Sequence, residues 1–170
     1  MDTKILPVKP FQETLNAGFC GPASIKMILE YYGIEKSEEE LGILCHKTAE
    51  LGTSDLDIKR AVEGLGLKAE IKSFATYEDV KFWLDKDVPL IVDWFTRGRN
   101  EMGDGDMADG HYSVAVGLDE QYIYLQDPEI GRIRKILKKD FLRVWFDFLP
   151  DHLEKWGDLV IRQIIAVYKT

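Results

Sequence analysis

The chain has 170 residues, 45% of them hydrophobic and 11% aromatic, with a formal net charge of -8. That is enough apolar material for one domain spanning residues 1–170 with a core of its own, and the acidic balance argues against an electrostatically driven nucleic-acid binder. Two cysteines, no apolar N-terminus flanked by basic residues and no apolar run near the ~18 residues of a membrane span argue against a disulfide-built secreted fold or a membrane segment, so a cytoplasmic protein is expected.

In chain order, residues 1–19 read as an irregular lead-in. A first helix is predicted from about Pro22 to Tyr32, with Ile25, Ile28, Leu29 and Tyr32 on one face and Gly33 as its stop. A second opens at Ser37, where Ser37 and Glu40 have capping-box spacing, and is expected to include Cys45 and His46. A third starts near Thr53 or Ser54 and closes around Gly64 and Gly66; a fourth follows Thr76, with Asp79 three residues on. The pattern then changes. Val88–Trp94 is an apolar run broken by Pro89 and Asp93, a buried strand; Arg97–Gly110 is glycine- and aspartate-rich, a loop. His111–Leu118 and Tyr122–Gln126 form a hairpin across Asp119, Glu120 and Gln121. A short strand at Ile133–Leu137, a helix with Phe141, Val144 and Trp145, and one long strand from Leu159 to Tyr168 complete the chain. Helices first and strands later predict an α+β domain with a mainly antiparallel sheet.

Cys20 stands directly before Gly-Pro-Ala-Ser and a helix. Unpaired N–H groups and the positive end of the helix dipole favour a thiolate there, and the thiolate is the nucleophile. A cysteine near a helix start is also an ordinary small core residue, so chemistry requires partners. His111 begins a strand after the glycine-rich loop, and hairpin arithmetic sets it opposite residue 127 or 128, beside Asp127. An imidazole can take the thiol proton while a carboxylate on its far nitrogen fixes the tautomer. An oxyanion needs donors as well: the Cys20 peptide N–H, and the Gln12 amide folding back from the lead-in.

Gln12, the run Cys20-Gly21-Pro22-Ala23-Ser24, Tyr31-Tyr32-Gly33, His111-Tyr112 and Asp127-Pro128 with Gly131 arrive in one order over most of the chain. In that order they resemble the C39-like cysteine peptidases, a family that includes the leader-cleaving domains of bacteriocin exporters. The resemblance implies a papain-like fold and a triad of Cys20, His111 and Asp127, with Gln12 sharing the oxyanion hole. Gln12 lies farther from the cysteine than the family pattern, with Asn16 or a shifted register as alternatives. Nothing resembles a Walker motif, so the chain is similar to a stand-alone member without transporter domains.

The remaining candidates are weaker. Glu101, Asp104, Asp106 and Asp109 lack EF-hand spacing and read as an acidic flap beside His111. Cys45 and His46 are adjacent on a helix and cannot face each other, and no zinc-ligand spacing exists. His152 lies in a polar segment. Arg132, Arg134, Lys135, Lys138 and Lys139 read as a solvated face. The expectation is a thiol-dependent hydrolase, a cysteine peptidase acting on peptide or protein substrates without cofactor or metal. An acyltransferase with the same triad and a non-catalytic peptide-binding module are the alternatives.

Overall fold

The structure, a computed structural model, describes residues 3–96, 109–148 and 159–170. The stretch from Arg97 to Ala108, with Glu101, Asp104 and Asp106, lies outside the described residues, as does His152. Asp109 and Gly110, read as loop, are the first residues of a strand.

Helix α1 (Cys20–Tyr31) begins two residues earlier than the sequence pattern suggested, and the preceding Phe19 supplies no side-chain cap. Its first turn therefore presents N–H groups that no cap satisfies. Ile25, Met27, Ile28 and Leu29 bury the helix in the core. Gly21 permits close packing: a Cβ there would sit 2.3 Å from the Thr53 methyl. Helix α2 (Glu38–Leu44) starts at the Ser37–Glu40 capping box and α3 (Asp55–Gly64) at Ser54, whose hydroxyl accepts the Asp57 N–H. α2 ends before Cys45, and His46 adopts a positive φ of 49° beyond it, so neither residue is inside the helix as predicted.

Strand β1 (Lys68–Lys72) escaped the sequence reading; only Ala69 and Ile71 are apolar in it, because it is an edge strand dressed with Lys and Glu. Helix α4 (Tyr77–Asp85) follows its Thr76–Asp79 box. Strand β2 (Leu90–Thr96) is almost wholly buried, as a central strand covered on both faces must be. Then come β3 (Asp109–Leu118), β4 (Tyr122–Asp127), β5 (Arg132–Leu137), helix α5 (Lys138–Val144) and the short β6 (Phe146–Phe148). The long final strand is two, β7 (Leu159–Ile161) and β8 (Gln163–Tyr168), broken at Arg162 with φ of 46°.

Six strands form one antiparallel sheet in the order β1-β8-β2-β3-β4-β5, and β6 pairs with β7 separately. Side chains alternate along β2: Trp94 packs on Phe141 of α5, while Asp93 feels the charge of Asp55 at the start of α3. These two helices consequently lie on opposite faces of the sheet. The result is an α+β fold.

The lead-in is irregular but anchored. Leu6 and Val8 are buried, the Leu6 N–H donates to Val116 O, and Ile5 bridges to Gly117. Farther on, buried Glu38 accepts from both the N–H and the hydroxyl of Thr14, at 2.9 and 2.7 Å. Glu38→Ala removes both bonds and is expected to cost about 2 kcal/mol, measurable by urea denaturation.

Candidate active site

A cleft of about 470 Å³ opens where the start of α1 meets the ends of β2 and β3, and Cys20 lines it half-buried. His111 lines the same cleft and is itself buried. Its Nε2 donates to Asp127 Oδ1 at 2.7 Å. That leaves Nδ1 for the Cys20 thiol, the ring's other hydrogen-bonding partner. The structure brings Cys20, His111 and Asp127 together.

Hairpin geometry explains the contact, with one change. Val114 pairs with Gln126 and Ala115 with Leu125, but Gly117 pairs with Tyr124, so Val116 is an extra residue in β3. The pairing of Leu118 with Ile123 would by itself set Asp127 opposite Val114, on the other face from His111; the bulge brings Asp127 opposite Ser113, and His111 lies on the diagonal of the same face. Diagonal pairs remain within reach of long side chains.

Asp127 is wholly buried and fully engaged. Oδ1 also accepts the Glu129 N–H at 3.0 Å, and Oδ2 accepts from Arg134 Nε at 2.5 Å. Arg134 pairs with Leu125 in β5 and so reaches Asp127 along the opposite diagonal. It is buried, not part of a solvated basic face as its neighbours suggested; Arg132, Lys135 and Lys139 do remain exposed. Burial alone would neutralise Asp127, but the charges and hydrogen bonds of His111 and Arg134 hold its pKa below the ordinary value. Burial likewise opposes charge on His111, and Asp127, helped by Cys20, overcomes it and holds the imidazole pKa well above its usual value. Among the described residues, His111, Asp127 and Glu129 form the one trio whose ligand atoms converge. The Arg134 guanidinium already lies against two of those carboxylates.

Gln12 is exposed, its amide donates to Glu129 O at 3.2 Å, and it is not among the residues lining the cleft. Its neighbour Glu13 is, tethered by its N–H to Pro128 O at 2.9 Å. Burial raises the Glu13 carboxyl to about 7; His111 opposes the shift, and Glu129 and Asp127 add to it. Asn16 also lines the cleft, at a φ of 59°. Sequence reasoning overlooked Glu13 because nothing in an irregular segment says which of two adjacent side chains turns inward. Arg134 was legible only through its two-residue spacing from the hairpin partner of Asp127. Cys45 is buried in the core, where burial and then Asp57 push its thiol up to about 12. His46 contacts Asp57 at 3.2 Å, away from the cleft.

An α+β fold that sets a helix-start cysteine against a buried His–Asp pair is the kind of fold and site that cysteine peptidases use. Within that class, the model of the peptidase C39 family matches residues 11–149, and the chain belongs to that family. It is 32% identical over 128 residues to the lactococcin transport/processing ATP-binding protein LcnC-like of Lactococcus lactis, covering 74% of this chain but 16% of that protein. It is 32% identical over 136 residues to the Probable functional amyloid protease FapD of Pseudomonas aeruginosa, covering 74% of this chain and 52% of FapD. The chain thus spans a minor part of the exporter and about half of FapD. Among solved structures, a double glycine motif protease from an AMS/PCAT transporter, in complex with the leader peptide, superposes with a TM-score of 0.67 at 20% identity over 100% of both chains. At that identity the likeness is one of fold.

Two outcomes follow from the buried charges. Arg134→Met leaves Asp127 with one counter-charge and is expected to destabilise the fold by about 3 kcal/mol, read from chemical denaturation at neutral pH. Glu13 titrates at a higher pH folded than unfolded, so stability falls as pH rises from its ordinary value of 4.5 through about 7 and is constant above. Glu13→Gln removes this deficit: its melting temperature should exceed wild type at pH 8, by at most about 3 kcal/mol of stability, and match it near pH 4.

Proposed function

We propose that this chain is a single peptidase domain in which Cys20 attacks a peptide carbonyl, His111 moves the proton and Asp127 orients His111. The observation that carries the reading is the buried Nε2–Oδ1 bond of 2.7 Å beside a half-buried helix-start thiol. His111 carries the proton given up by the Cys20 thiol as the sulfur bonds to the carbonyl carbon. The uncapped first turn of α1 supplies the Cys20 N–H to the resulting oxyanion. Collapse of the intermediate breaks the C–N bond, and the leaving amine takes its proton from His111. Water, deprotonated by His111, then hydrolyses the thioester and returns the free thiol. Gln12 serves as the second oxyanion donor after releasing Glu129 O. No helix of the described residues is long and apolar enough to cross a membrane. A leader peptide with a double-glycine motif, the kind named for the related transporter protease, is the first substrate to try.

Alkylation by iodoacetamide tests the nucleophile. In the folded protein at pH 7, Cys20 is expected to react and Cys45 to resist, and His111→Ala should slow Cys20 by roughly tenfold or more. Equal labelling of the two cysteines removes the reading. For the oxyanion donor, Gln12→Ala should lower kcat about a hundredfold with little change in KM; if Glu13→Ala does so instead, the donor is the neighbouring side chain.

A further inference from the structure

The cleft has a second wall that the chemistry above does not use. It carries Asp55 from the start of α3, Asp93 from β2 and Asp147 from β6, and Glu13, Glu50 and Glu129 stand elsewhere around the same opening. No Lys or Arg is among the described residues lining it. Asp93 is the one charged residue in β2 and is 4% exposed. Its Oδ1 has no hydrogen-bond partner among the described residues. A buried, unpaired carboxylate oxygen facing a cleft is costly to keep, and the negative charges of Asp147 and Asp55 act on it as well.

The wall is held in shape. Asp55 accepts from the Tyr112 hydroxyl at 2.7 Å and from the Gln163 amide. Asp147 accepts the Phe148 N–H at 2.7 Å and hydrogen-bonds to Asp93. Gly110 leaves room for it: a Cβ there would lie 2.1 Å from the Asp147 carboxylate oxygens. Asp93 and Asp55 both favour the protonated form, first through burial and then through the charge of Asp147, and Asp55 rises to about 6.

We propose that this wall is a subsite for a lysine or arginine side chain of the peptide substrate, close to the bond that Cys20 attacks. The proposal rests on the reading of Cys20 as nucleophile. A bare metal ion suits the wall less well, because Asp55, Asp93 and Asp147 do not form a trio of converging ligand atoms among the described residues. An ammonium or guanidinium group spans a wider separation and supplies donors to Oδ1 of Asp93. Its arrival displaces the protons that the wall holds when empty.

Modification of Cys20 by two methanethiosulfonate reagents of similar size tests this without a known substrate. One ends in an ammonium group, the other in a neutral amide, and mass spectrometry of the Cys20 peptide gives both rates. Relative to a small free thiol, the cationic reagent should be favoured about tenfold or more. That preference should fall severalfold in Asp93→Asn and in Asp147→Asn. It should fall less in Glu50→Gln, which reports the diffuse field of an exposed carboxylate on the same cleft. A wild-type preference no greater than that of the free thiol overturns the subsite whether or not any variant folds. So does an equal loss in Asp93→Asn and Glu50→Gln. Slow reaction with both reagents at an undiminished preference instead removes the nucleophile reading and leaves the cation subsite standing.

Discussion

The carboxylate of Asp127, sealed from water, is the constraint on which the site depends. A buried charge survives only if partners replace its hydration, and here three elements converge to do so: His111 from β3, Arg134 from β5 and the Glu129 N–H from the turn between β4 and β5. His111 and Arg134 are fixed by strand pairing on either side of Asp127, and Glu129 by the turn that follows it. The pair charges favour imidazolium on His111 and carboxylate on Asp127, against burial in both cases. Arg134 also matters for what it prevents: with a permanent cation beside it, Asp127 stays an acceptor and does not draw the His111 proton wholly to itself.

Three other carboxylates of the cleft respond oppositely. Glu13, Asp55 and Asp93 all shift toward the neutral acid, with burial the leading cause. One cleft thus holds two electrostatic regimes a few side chains apart, an ion-paired one beside the thiol and a proton-sharing one across from it. Perturbed groups of this kind gather where chemistry or binding is performed.

Much of this was legible from residues because much of it is local. The helix starts at Ser37, Ser54 and Thr76 follow from side chains within three residues of their backbone partners, and the β3–β4 hairpin follows from its turn. What resisted reading was nonlocal or too short to have a period. β1 hides its strand character behind Lys68, Glu70 and Lys72, and β6 has three residues. Arg134 looked like one of several basic residues until the fold laid it across Asp127. Gln12 and Glu13 differ by one position, and only the tether of Glu13 to Pro128 decides which turns inward. Asp93 did leave a trace, as the polar break in an apolar run.

The bulge at Val116 has a further consequence for how such a domain changes over generations. Val116 is the extra residue of β3, so losing one residue there leaves a regular ladder with His111 on the face of Asp127, whereas gaining one between the bulge and His111 would turn His111 to the other side of the sheet. Most of the hydrophobic core lies elsewhere, and the lead-in clamps the bulge through Leu6 and Ile5. A single-codon insertion would therefore part His111 from Asp127 while sparing much of the scaffold and the acidic wall, and a single-codon deletion at the bulge would not. Parting the two side chains is one short step along this strand, and the return requires removing one residue at one place.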